Sequence, residues 1–237
     1  EEEVEKLFKW INSMQKDKLA HYVYMRKYVI SCLKKLLEYS YKDQKFAKED
    51  AMHNLIFPMK TDSGETDYDN HNLRLLDERV SLNKYVVSDK AIFDWSGKRV
   101  DLAIFWNETI YRENNDFSNP IFIYEFKRPW DILEKKDHIG VLISYILKVR
   151  NKEIKVDILK RTINITDNTP IYAYLVCDLV DDILVLINNY SFTPMPDNKW
   201  YYLWHTKANC YIEIISREKL LNDTEKRHQA FFHELWI

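Results

Sequence analysis

The sequence has only three glycines, Gly64, Gly97 and Gly140, each isolated. A phosphate-cradling P-loop and a dinucleotide-binding fingerprint both need clustered glycines. Neither can be built here, so nucleotide-binding machinery is expected to lie outside this chain. Cysteine is equally scarce. Cys32, Cys177 and Cys210 are too few and too scattered for a disulfide framework or a zinc site, and a reducing, cytoplasmic setting is expected. Positive charge is not in excess: 35 basic residues face 37 acidic ones, a net charge of −2. That balance argues against a dedicated, high-affinity DNA reader and leaves room for a local basic groove on an enzyme. No run approaches the roughly 18 apolar residues of a membrane span, so no membrane partner is expected. The opening "EEEVEKLFKW" lacks the basic-then-apolar order of a signal peptide. It also lacks an initiator Met, and the chain is expected to be a piece of a longer polypeptide.

What is present is enough apolar and aromatic material for a core: 46 % hydrophobic residues, with 16 Tyr, 11 Phe and 7 Trp over 237 positions. Between Asp17 and Tyr41, the residues Val29, Cys32, Leu33, Leu36 and Leu37 recur at the three-and-four spacing of an amphipathic helix. A shorter helix is expected from Ala47 to Ile56, ending at Pro58. The acidic, turn-rich "KTDSGETDYDN" reads as a loop, and "NLRLLDERVSL" as a short strand running into a helix. "RVDLAIFW" and "PIFIYEFKRP" read as strands. The helix that follows them has a capping-box pattern at Asp131 and Glu134 and a buried stripe of Ile139, Leu142, Ile143, Ile146 and Leu147. "TPIYAYLVCDL" is a further strand, leading to a helix over Asp181 to Asn189. "KWYYLWH" and "CYIEIIS" are two more strands before a last helix from Arg217 to Leu235. Strands separated by helices give the α/β class, a mixed central sheet flanked by helices. The expected organisation is a helical extension over 1–45 and an α/β domain over 46–237.

One strand is chemically odd. In "NPIFIYEFKRPW", Ile121, Ile123, Glu125 and Lys127 share one face and Phe122, Tyr124 and Phe126 the other. Both faces look buried, as in a sheet covered by helices on both sides. A carboxylate and an ammonium there are costly unless paired, hydrogen-bonded or bound to a metal. The triplet E-x-K alone carries little weight, since it recurs at Glu134/Lys136 and Glu153/Lys155, both in solvated-looking settings. The preceding strand adds Asp101. If the two strands are neighbours, Asp101 sits beside Glu125, and two carboxylates forced together are relieved by Mg²⁺ or Mn²⁺. A lysine beside them can orient or deprotonate an attacking water and steady developing negative charge. A structural ion-pair cluster satisfies the same spacing. Glu78, in "LLDERVSL", is a further acid that could reach the metal, although alone it reads as a surface or cap carboxylate.

Asp101, Glu125 and Lys127, on two strands followed by a helix, resemble the core of the PD-(D/E)xK nucleases, the restriction-endonuclease-like superfamily. A longer series of phrases, "EDAMHNLIFPM", "HNLRLLDERVSLNKYVVSD", "VDLAIF", "YEFKRP", "PIYAYLVCDL", "FTPMPD" and "YIEIISREKLLND", resembles the C-terminal region of large bacterial proteins. The N-terminal part of those proteins is a histidine-kinase/Hsp90-like (GHKL) ATPase. The resemblance covers roughly Glu49 to Ile237. It implies a restriction-endonuclease-like fold, divalent-metal catalysis and DNA as substrate. It also implies an ATPase domain of the same longer chain as partner, and a role in defence against foreign DNA. Asp101 and Glu125 match the metal-binding acids, Lys127 the catalytic lysine and Glu78 the auxiliary helix glutamate. Val100 replaces the name-giving proline, and Val141 stands where a glutamine is expected; Tyr145, one turn on, reads as core.

Lys148, Arg150, Lys152, Lys155, Lys160 and Arg161, with Arg128, Lys135 and Lys136 near the triad, could form a phosphate-binding rim. The bland reading is a solvated face. Trp200, Tyr201, Tyr202 and Trp204 read as strand packing rather than base-stacking, and His53 as a buried, hydrogen-bonded histidine. Two other functional readings remain: a nuclease-like fold that grips DNA without cutting it, and a regulatory or homo-oligomerising module that uses the helix from Asp17 to Tyr41.

Overall fold

The structure, a computed structural model, describes residues 2–38, 49–82, 85–92, 99–105, 120–127, 137–151 and 165–234. Five helices and seven strands organise them: α1 (Glu2–Leu37), α2 (Glu49–Ile56), β1 (Tyr85–Ser88), β2 (Leu102–Phe105), β3 (Ile121–Phe126), α3 (His138–Arg150), β4 (Ile171–Cys177), α4 (Asp181–Asn189), β5 (Thr193–Pro194), β6 (Trp200–His205), β7 (Cys210–Ser216) and α5 (Arg217–Glu234). The sheet runs β1-β2-β3-β4-β7-β6-β5. Its centre, β3-β4-β7, is parallel, and both flanks are antiparallel. The expected mixed sheet flanked by helices is therefore present.

All six residues of β3 are buried, because apolar layers cover both faces. Ala103, Phe105, Ile121, Ile123 and Ala173 pack against α3 and α4 on one side. Leu102, Ile104, Phe122, Tyr124 and Phe126 pack against α1, α2 and α5 on the other. Aromatic pairs hold β3 and β4 in register: Phe122 stacks on Tyr172 at 5.3 Å and Tyr124 on Tyr174 at 4.6 Å between ring centres. The backbone N–H of Lys127 then donates to the Val176 carbonyl at 2.9 Å. This register sets the ends of β3 and β4 side by side.

Several boundaries differ from the sequence expectation. The first helix begins at Glu2 rather than Asp17. Its buried residues are Val23, Ile30 and Leu33, and Ile30 and Leu33 belong to the same apolar cluster as Ile56, Phe57 and Leu220. "NLRLLDERVSL" forms short 3-10 turns, not strand and helix, and the strand after it, β1, carries no alternation because all four residues are buried. Asp131 and Glu134 lie outside the described residues. The helix there is capped by Asp137, whose carboxylate accepts the Gly140 N–H at 2.8 Å. A Cβ on Gly140 would stand 2.3 Å from that carboxylate and 2.9 Å from the Tyr190 hydroxyl. Leu147 is exposed, and Tyr145 and Val149 complete the buried stripe instead.

Candidate functional site at the carboxyl end of β3

Asp101 directly precedes β2, whose register with β3 pairs Leu102 with Tyr124. One step further along the antiparallel pair, Asp101 stands opposite Glu125, and opposed residues share a face. Both acids therefore meet where β3 ends. The Asp101 carboxylate accepts the Phe126 backbone N–H at 2.7 Å, which fixes its position across the strand gap. Glu125 is only 6 % exposed. Its Oε1 accepts from the Lys127 ammonium at 2.8 Å, whereas its Oε2 is buried and has no hydrogen-bond partner.

Lys127 sits among three acids. Its Nζ is 2.8 Å from Glu125, 3.8 Å from Glu49 and 3.9 Å from Asp101, and it donates to the Phe126 carbonyl at 2.8 Å. Burial disfavours the ammonium, but the charges of Glu125, Asp101 and Glu49 outweigh it and raise the lysine pKa. The acids move the same way. Burial, then the Asp101 charge, pushes Glu125 up to about 7 against the pull of Lys127. Burial also raises Asp101, opposed by Lys127 and by the Phe126 N–H. Asp89 and Asp50 add further negative charge near Asp101. Among the described residues one ammonium thus serves a strongly acidic pocket.

Supporting residues come from both layers. From α2, the His53 ring packs on Phe126 with centres 5.4 Å apart, and its Nε2 shares a 2.8 Å hydrogen bond with the Ser88 hydroxyl. Burial holds His53 down at about 4, against the raising effects of Asp89 and of its hydrogen bond to the Asp101 backbone. It is a neutral brace, the buried and hydrogen-bonded histidine expected. From α3, Tyr145 is buried. Burial and the Glu125 and Asp101 charges raise it to about 12, so this core tyrosine lies close to the acids.

Glu78 is placed elsewhere. Its Oε1 takes the Arg26 guanidinium of α1 and lies 3.2 Å from His228 Nε2 of α5. Although burial raises its pKa, the hydrogen bonds from His228 and Arg26 hold it down at about 2. No contact joins Glu78 to Asp101, Glu125 or Lys127 among the described residues. The acid that reaches Lys127 is Glu49, at the first turn of α2. The sequence signal for it was weak, an acidic residue four positions before His53.

The basic rim is not assembled among the described residues. Arg150 donates to the carbonyls of Thr166 at 2.8 Å, Thr169 at 2.9 Å, Ala208 at 3.3 Å and Asn209 at 2.8 Å. It ties two loops together and spends four of its five donors on backbone carbonyls. Lys148 is half-buried on α3; Arg128, Lys135, Lys136, Lys152, Lys155, Lys160 and Arg161 lie outside the described residues. On β6, Trp200, Tyr201 and Tyr202 are half-buried strand residues, and only Trp204 is largely exposed.

Among the described residues, no three His, Cys, Asp or Glu side chains are gathered closely enough to hold a metal ion. Around Lys127 the reason is visible, since the ammonium stands between the carboxylates. The donor set still suits a hard divalent cation: oxygen ligands only, from two adjacent strands, with one buried carboxylate oxygen lacking a partner. No helix among the described residues is long and apolar enough to cross a membrane. No family model, curated protein or solved structure matches the chain.

Proposed function

We propose that the chain is a divalent-metal-dependent nuclease domain of the restriction-endonuclease-like class that hydrolyses DNA phosphodiesters. In this reading it is the effector part of a longer chain that carries an ATPase domain. One observation carries the reading: the Glu125 carboxylate is buried beside Asp101 with an oxygen that no group among the described residues satisfies. An unmet buried acceptor of this kind costs about 1–3 kcal/mol, more when charged, and a cation would offset that cost.

Asp101 and Glu125 would hold Mg²⁺ or Mn²⁺, with Glu49 the nearest further acid in place of Glu78. Held there, such an ion would supply Lewis-acid polarisation of a phosphoryl oxygen. Lys127 has its pKa raised by the surrounding acids, so it acts as a fixed positive charge rather than as a proton acceptor. It steadies the negative charge that grows on the phosphoryl oxygens. The Phe126 N–H and the His53 brace keep Asp101 in place, and Tyr145 closes the pocket from the α3 side.

The test is cleavage of plasmid and oligonucleotide DNA by the purified chain in Mg²⁺ or Mn²⁺. Products should appear only with metal and should vanish in Glu125→Ala and in Lys127→Ala. Cleavage that survives both substitutions would remove the assignment. Metal-independent DNA binding with no products in any divalent ion would turn the reading toward a silent DNA-binding module.

A further inference from the structure

Two strands along the same sheet edge, a second charged group is buried with two of its nitrogens lacking a hydrogen bond among the described residues. Arg217 opens α5 directly after β7 and is 4 % exposed. Among the described residues its Nε and Nη2 make no hydrogen bond, and Nη2 stands in a loose 3.5 Å contact with the Asp178 carboxylate. A guanidinium has five donors and no acceptor. Burying it this way is unfavourable unless an anion completes the set. Burial lowers its pKa, with the charges of Asp178, Cys177 and Glu49 opposing.

Three features surround it. Arg217 lines a cavity of about 640 Å³ together with Lys34, Asp178, Asp181, Glu218 and Leu221. That cavity lies beyond the carboxyl ends of β4 and β7, the side on which open α/β sheets bind ligands. The 18-residue helix α5 begins there, and its N-terminal dipole favours negative charge. Two of the acids on the wall have cationic partners, Glu218 with Lys199 at 2.5 Å and Asp178 with Arg217 itself, while Asp181 lies in the first turn of α4. Glu38 lies on the exposed rim.

We infer that Arg217 and the N-terminus of α5 form a phosphate-binding pocket that holds a backbone phosphate of the nucleic-acid substrate away from the cleavage point. The inference rests on the nuclease reading. Cys177 pairs with Ser216 across β4 and β7, while Lys127 hydrogen-bonds to Val176. Neighbouring strands lie ~4.8 Å apart, so Arg217 is about 10 Å along the edge from the Glu125 pocket. One DNA strand carries a phosphate every ~3.4 Å of helix axis, so that distance corresponds to about three nucleotides. Glu49, beside Lys127 and within reach of the Arg217 charge, links the two pockets.

The experiment measures binding of a labelled DNA oligonucleotide to the 237-residue chain in chelator, across a salt series, with inorganic phosphate and a mononucleotide as competitors. Arg217→Gln is expected to weaken oligonucleotide binding about tenfold and to lower the salt slope by ~1. Its melting temperature should hold or rise, because an unsatisfied buried charge is gone. Arg217→Lys should recover part of the affinity. Unchanged affinity and slope in Arg217→Gln would overturn the pocket, and metal-dependent cleavage abolished by Glu125→Gln would still stand. Competition by free phosphate through Arg217, with no oligonucleotide binding, would overturn the backbone assignment together with the nuclease reading. If both variants unfold, Arg217 is structural and the inference fails.

Discussion

Two glutamates in this molecule, Glu78 half-exposed and Glu125 buried, each meet a cationic side chain, and they end in opposite states. Glu78 lies between Arg26 and His228, and those hydrogen bonds hold it down at about 2. Glu125 meets Lys127, shares its pocket with Asp101, and is pushed up to about 7. Glu78 has its charge answered by the chain and clasps α1 and α5 to each other. Among the described residues Glu125 retains an unpartnered oxygen in a pocket where three acids surround Lys127. A half-exposed carboxylate paired with a guanidinium keeps its charge, whereas a buried one beside a second acid has its ionisation opposed, the kind of perturbed group that gathers at functional sites.

The largest expected effect breaks the comparison at Glu125. Glu125→Gln should reduce metal-dependent DNA cleavage by at least ~100-fold, the scale of losing one preorganised charge-stabilising group. Its metal-free melting temperature should be no lower than that of the parent chain. Quantified cleavage alongside calorimetry checks both halves.

The brace beneath the site supplies the next effect, in pH. His53 has its pKa lowered from 6.5 to about 4 by burial, so the unfolded chain binds the extra proton more readily. Stability is therefore fully present above pH 6.5 and is lost as the pH falls toward 4, by up to ~3 kcal/mol from this group. Urea unfolding across that window should show the loss, and His53→Gln should flatten it.

A smaller effect is expected at the clasp. Arg26→Ala should cost about 1 kcal/mol of stability and leave cleavage unchanged, because Arg26 touches Glu78 and Tyr22 and none of the site residues. The smallest lies at low pH. Glu78 has a depressed pKa, so its contribution is present above its ordinary value of 4.5 and disappears as the pH falls through about 2. Glu78→Gln should remove that acid-range loss in a thermal scan.

The contrast also separates what could be read from the residues and what could not. The strand Ile121–Phe126 and the juxtaposition of Asp101, Glu125 and Lys127 were legible, because period-two alternation assigns faces and a charged pair on an apolar face stands out. The helix Asp181–Asn189 follows its strand with the expected bounds. β1 was not, since four buried residues in a row carry no periodicity. Nor was the choice between Glu49 and Glu78. Each is one acid near a helix or turn, and which of them reaches Lys127 depends on how α1, α2 and α5 pack over the sheet. Arg150 looked like a phosphate donor because backbone carbonyls, its actual partners, leave no trace in side-chain patterns. Arg217 gave no signal, because burial of one arginine at a strand-helix junction is a tertiary property.

The most direct measurement is a Mn²⁺ titration of the folded chain, read by calorimetry and by the shift in melting temperature. One binding event that raises the melting point in the parent chain and is absent in Glu125→Gln is the predicted result. No Mn²⁺ binding by the parent chain, or equal binding by both proteins, would contradict the claim that the unanswered carboxylate at the end of β3 awaits a divalent cation.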